Sequence, residues 1–174
     1  QRAASIAWAS QFVDDSPLTQ PLPKGVKLPK ALLSSFQSNV LRPFHFLAIG
    51  HQATTPGTSN PLAGYLLHQV SAAPDDIQLG VFLHSLGDTF SHSGFSGFSS
   101  DVNECGVFKI LPQVGHGECE EEPDLPFLRP ALAAEAAIEI ERAIRKYEAE
   151  RTGAGTTQIP DEESLKRFYI GEFS

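Results

Sequence analysis

The chain has 174 residues, enough for one hydrophobic core and too few for two comfortable ones. Hydrophobic residues make up 41% and charged residues 20%, and no stretch approaches the roughly 18 uninterrupted apolar residues of a membrane helix, so a disordered chain and a membrane span are both excluded. Against 21 acidic residues stand 13 scattered basic ones, a net charge of −8, which excludes a broad nucleic-acid or anionic-lipid surface but not a phosphate ester held through metal ions, because a bound cation sets the local sign.

The chain contains no methionine and opens at Gln1. The expectation is a single helical domain over 1–174, processed or excised from a longer chain. Arg2 to Asp15 reads as a helix, with Ile6, Ala9, Ser10 and Val13 at three-four spacing and Pro17 ending it. Prolines at 17, 21, 23 and 29 make the next stretch an extended connector. A short helix is predicted from Pro29 to Asn39, then loop with one helical turn from Arg42 to Asn60. Pro61 opens a helix to about Ser71, and Pro74-Asp75-Asp76 opens another to about His92.

From Ser93 to Pro130 the composition shifts to Gly, Ser, Pro and acidic residues, and a connection this long tends to be functional. It contains Cys105 and Cys119, 14 positions apart, read as a disulfide that would stabilise the loop by roughly 3 kcal/mol on loop entropy. Pro130 to Arg151 is the clearest helix, with Leu132, Ala136, Ile140, Ala143 and Tyr147 on one face and Glu135, Glu139, Arg142 and Lys146 on the other. Gly153 and Gly155 stop it, and a last helix runs from Pro160 to about Ile170. No alternating strand stands out, so the fold class is all-α: a compact multi-helix domain with a central buried helix and long loops.

That central helix carries the chemistry. Leu79, Leu83, Leu86 and Phe90 cluster on one side, while His84, Asp88 and His92, at i, i+4 and i+8, stack on the opposite side. Between Ile77 and Ser100 the only charged residue is Asp88, so the helix should be buried all round, and a buried carboxylate without a partner costs several kcal/mol. Two imidazoles one turn away and a divalent cation would satisfy it, and the donor set suits zinc. His92 lies about 12 Å along the axis from His84, too far to share one tetrahedral ion, so it needs partners of its own. His116, with Glu120 or Asp124, is the nearest source of such ligands once the loop folds back. Gly80 and Gly87 would let neighbouring helices approach closely, while His51 and His68 read as surface or core histidines.

His84-Ser-Leu-Gly-Asp88 resembles the His-x-x-x-Asp helix motif of the zinc-dependent phospholipase C and single-strand-specific nuclease superfamily, all-α enzymes with a trinuclear zinc cluster that hydrolyse phosphodiesters. Ser10-Gln-Phe-Val-Asp14-Asp15, Phe44-His45-Phe46 and His84 to Gly97 together are similar to an uncharacterised microbial family distantly related to it. The resemblance covers roughly residues 3 to 125. It implies that Asp14 or Asp15, His45, His84 and Asp88 surround one metal position, with Asp88 bridging to another. His92 matches in role at a shorter gap than the superfamily uses, and His116 and Glu120 have the i, i+4 spacing of its later ligand pair. The amino-terminal Trp that ligates zinc in the superfamily has no counterpart, since Trp8 is internal, which puts the third metal in doubt.

The expected function is a metal-dependent hydrolase of phosphate esters, phospholipase C-like or nuclease-like, holding one to three zinc ions through Asp15, His45, His84, Asp88, His92, His116 and Glu120. Asp14 or Asp15 would orient or deprotonate the attacking water. The expected substrate is a small-molecule or lipid phosphoester and the expected location extracellular. The alternative is a non-catalytic, metal-stabilised interaction domain of a larger secreted protein. The sequence does not distinguish Asp14 from Asp15 as the ligand, nor Glu120 from Asp124.

Overall fold

A computed structural model describes residues 1–20, 29–50, 52–100, 103, 113–114, 124–154 and 158–174. The described residues form α1 (Arg2–Asp15), α2 (Lys30–Phe36), a π-helical segment (Gln37–Phe46) that continues it, α3 (Pro61–Ala72), α4 (Asp76–Ser91), α5 (Pro130–Thr152) and α6 (Glu162–Phe173). The fold is all-α, as the periodicity implied. A minute antiparallel ladder pairs Ser99–Ser100 with Gln113–Val114 within the long connection. Among the described residues, no helix is long and apolar enough to cross a membrane.

Local chemistry sets the boundaries. Asp75 caps α4, its carboxylate accepting from the N–H groups of Ile77 and Gln78 at 2.9 Å each, and Asn60 caps α3 ahead of Pro61 in the same way. Gly153 ends α5 in the left-handed conformation, φ 64°.

The core surrounds α4, against which α1, α3, α5 and the π-helical segment all pack. Leu79 and Leu86 of α4 meet Leu67 and Val70 of α3 and Ala143 and Tyr147 of α5, and each fully buried leucine contributes roughly 1.5–3 kcal/mol. A smaller cluster, Leu41, Phe46, Ala48 and Phe95, closes the end where α4 gives way to the connection. At Gly80 the backbone of α1 comes so close that a Cβ would lie 2.4 Å from the Ile6 carbonyl oxygen. At Gly87 the nearest atom would be Ile140 Cδ1 at 3.8 Å, ordinary contact, so only one of the two glycines serves close approach.

Four expectations need correction. The helix expected to stop at Asn39 runs on to Phe46, because the wider π coil passes through Pro43 where an α-helix would break. The Arg42 to Asn60 loop is accordingly shorter and holds one 3₁₀ turn, Gly57–Ser59. Burial of α4 is incomplete, with Ile77 in its first turn 43% exposed because no described residue covers the helix start on that side. In α5 the buried positions are Ala134, Ile138, Ala143 and Tyr147. The single stripe fails because α6 covers this helix as well as α3 and α4. Glu139, assigned to the outer face, turns inward to accept from the Thr58 N–H and hydroxyl.

Candidate metal centre

Three elements converge beside the middle of α4. The last turn of α1 brings Asp14, the end of the π-helical segment brings His45, and α4 itself supplies His84 and Asp88 one turn apart. His45 is almost wholly buried, 2% exposed, and Asp14 lies at the mouth, with 47% of its side chain exposed. His84 Nε2 is 3.3 Å from His45 Nδ1, 3.2 Å from Asp88 Oδ2 and 3.6 Å from Asp14 Oδ1. His45 Nδ1 is 3.0 Å from Asp88 Oδ2 and 3.9 Å from Asp14 Oδ1. Ligands bound at zinc's usual distances on a tetrahedron are roughly 3.3 to 3.6 Å apart, so these separations bracket the edges of one coordination shell. Asp14, His45 and His84 form a group able to hold a metal ion.

The tautomer of His45 is fixed from outside the cluster. Its Nε2 lies 2.8 Å from the backbone carbonyl of Thr19, and a carbonyl only accepts, so Nε2 carries the hydrogen and Nδ1 turns a lone pair toward the cluster. A lone pair 3.0 Å from a carboxylate oxygen is repulsive unless positive charge sits between them. A proton bridges two atoms, whereas Asp14 and His84 also bring ligand atoms to His45 Nδ1, at 3.9 and 3.3 Å. The donor set and its spacing therefore fit a divalent cation.

Electrostatics agree with that need for positive charge. Burial alone would push the Asp88 carboxyl up, but positive charge shared with the His45 and His84 ring nitrogens that face it outweighs burial and holds the group well below the usual carboxylate range. Burial alone would lower His84, yet its bond to Asp88 and the charges of Asp88 and Asp14 leave it raised. Among the described residues, only imidazoles lie within ion-pair distance of Asp14 and Asp88.

His92 caps the end of α4, stacked on Phe46 with ring centroids 4.4 Å apart. Its Nδ1 donates to the backbone carbonyl of His45 at 2.6 Å, and its Nε2 faces Asp124 Oδ1 3.4 Å away. Burial would lower His92, and Asp124 and Asp88 together keep it raised. Asp124 thus meets His92, while His116, Glu120, Cys105 and Cys119 lie outside the described residues.

Of the two N-terminal aspartates, Asp14 faces the histidines, and no ion pair of Asp15 occurs among the described residues. Helix phase alone carries only a slight signal: Ile6, Ala9 and Val13 define the side of α1 that packs on α4, and at 100° per residue Asp14 stands about 105° from the middle of that side and Asp15 about 155° from it. Thr19 had no such signal, since it acts through its backbone oxygen. His68 is exposed on α3, and His51 lies outside the described residues.

Residues 1–151 match the model of DUF6765, a family of unknown function. The chain belongs to that family. The DUF6765 match takes in Asp14, His45, His84, Asp88, His92 and Asp124 and leaves out α6. No curated protein and no solved structure matches the chain.

Proposed function

We propose that the protein is a zinc-dependent hydrolase of phosphate esters, with Asp14, His45, His84 and Asp88 holding one ion and His92 with Asp124 beginning a second position. One observation carries this reading: Asp14, His45 and His84 bring ligand atoms from three elements within 4.8 Å of one another, and the buried His45 has its tautomer set by a backbone carbonyl. Such outer hydrogen bonds are the usual companions of metal-ligating histidines. The phosphoester class rests on the resemblance of the His84 to Asp88 motif to phospholipase C-like and nuclease-like enzymes. Zinc in such a set acts as a Lewis acid, activating water and offsetting charge on a phosphoryl group. Asp14, the most exposed of the four, is placed to accept the proton of an attacking water. The substrate class is a small-molecule or lipid phosphoester, met outside the cell.

The second reading, a metal-stabilised interaction domain without catalysis, is favoured by Trp8 and Phe12, which stack at 5.0 Å on the solvent side of α1. Elemental analysis combined with hydrolysis of bis-p-nitrophenyl phosphate separates the two. Two or more zinc ions per chain and chelator-sensitive hydrolysis are expected, with His84→Ala and Asp88→Asn each losing metal and activity and His68→Ala retaining both. Stoichiometric metal without hydrolysis would select the interaction domain, and unchanged metal content in both α4 variants would sink the centre altogether.

A further inference from the structure

The chain leaves α1 through a tight turn. The Ser16 N–H donates to the Phe12 carbonyl at 2.8 Å, and the Ser16 carbonyl accepts from the N–H groups of Thr19 and Gln20 at 3.1 and 2.8 Å. Within α1 the Val13 carbonyl would ordinarily accept from the residue four places on, but that residue is Pro17, which has no N–H. The Thr19 hydroxyl supplies the missing donor, reaching Val13 O at 2.7 Å. Val13 O belongs to the peptide unit that leads into Asp14. The carbonyl of the same Thr19 accepts the His45 Nε2 hydrogen at 2.8 Å. One residue thus joins the backbone carrying Asp14 to the ring of His45, across 26 positions of sequence.

We propose that Thr19 is a positioning residue of the metal centre: its carbonyl holds His45 in the tautomer that presents Nδ1, and its hydroxyl, anchored on Val13, fixes where that carbonyl points. The inference rests on the metal reading above and deepens it. Without the hydroxyl the turn keeps only its backbone bonds through Ser16, the Thr19 carbonyl is held less firmly, and His45 is less strictly kept as Nε2–H. A merely structural cap would lower stability and leave the imidazole tautomer and the zinc affinity alone.

The test uses the full chain as wild type, Thr19→Val, Thr19→Ala and Thr19→Ser, the last keeping the donor. Long-range ¹H–¹⁵N spectra of metal-free protein at alkaline pH report the His45 tautomer, and competition with a chromophoric chelator reports zinc affinity. Wild type and Thr19→Ser should show His45 as Nε2–H with similar affinities. Thr19→Val and Thr19→Ala should show mixed tautomers and an affinity lower by about tenfold, the low end for residues that orient a ligand. Unchanged tautomer and affinity in both hydroxyl-less variants, even with a lowered melting temperature, would overturn the inference and leave Thr19 a helix cap. A fall in affinity with the tautomer intact, or the reverse, breaks the link through His45 and overturns it too. Wild-type protein that takes up no zinc defeats the metal reading itself, and with it any role of Thr19 at a metal.

Discussion

Asn60 is a single side chain that holds two elements. Its amide nitrogen donates to Leu47 O at 2.9 Å and Thr55 O at 3.2 Å, while its oxygen accepts from the N–H groups of Leu62 and Ala63 at the start of α3. Leu47 ends the π-helical segment with φ 44°, a left-handed conformation that costs a non-glycine residue about 1–2 kcal/mol. Burial of its side chain and the bond from Asn60 keep it there. Asn60→Ala removes a helix cap and strands a buried carbonyl, and should lower stability by about 2–3 kcal/mol in urea titration. Because Leu47 follows His45 by two positions, zinc affinity should fall as well. A loss below about 0.5 kcal/mol would show that the left-handed turn holds itself. The histidines and Asp88 of α4 were legible because they share one helix, where spacing alone gives their direction. His45 was not legible from spacing, since only packing between distant segments brings it to α4, and the resemblance alone pointed to it.

Two glycines seven positions apart in α4 should respond with opposite signs. A methyl group at Gly80 would lie 2.4 Å from Ile6 O and 2.6 Å from Ala9 Cβ, against backbone that cannot give way without moving α1. Overpacking of this kind costs about 1–3 kcal/mol, more than the gain of about 1 kcal/mol in helix propensity. Gly80→Ala should therefore destabilise the fold and, by displacing the helix that carries Asp14, weaken zinc binding. At Gly87 the methyl meets only Ile140 Cδ1 at 3.8 Å, and Gly87→Ala should stabilise by about 0.5–1 kcal/mol. Equal effects of both substitutions in chemical denaturation would show that helix spacing is not set at Gly80. The boundaries of α1, α3, α4 and α5 follow from caps and prolines in the sequence. The π-helical segment does not, because Pro43 reads as a break unless the coil is already known to be wide.

At the scale of the molecule, Arg2 clamps three helices. Its guanidinium bonds to Asp76 at the start of α4 through Nε and Nη2, at 2.9 and 2.8 Å, and to Glu148 near the end of α5 at 2.7 Å, while the Tyr147 hydroxyl donates to Asp76 at 2.9 Å. The hydrogen bond from Arg2, ahead of an opposing push from burial, holds the Asp76 carboxyl below its ordinary value. A carboxyl lowered on folding contributes stability that is present above its unfolded pKa of about 4 and lost as pH falls through the folded value. Arg2→Ala should therefore melt below wild type at pH 7, with the gap closing as pH falls below about 4 and shrinking in high salt. A gap that persists at pH 2 would place the role of Arg2 in its packed stem and not in its charge. The all-α class was readable because the periodic windows are helical and no alternating strand stands out, but how α1, α4 and α5 meet depends on contacts such as this one that no local pattern encodes.

The π-helical segment has a consequence for how the centre is inherited. Each turn of a π coil holds one more residue than an α turn closes over, so the direction of His45 depends on the number of residues between Phe36 and Leu47 as much as on what they are. Removing one solvent-facing residue there, such as Asn39, deletes no ligand, yet it would turn His45 by roughly 80° around the axis, away from Thr19 and Asp88. Chain length is itself part of the message in this stretch: exchanges of one side chain for another are the tolerable changes, and insertions and deletions are the ones that switch the centre off.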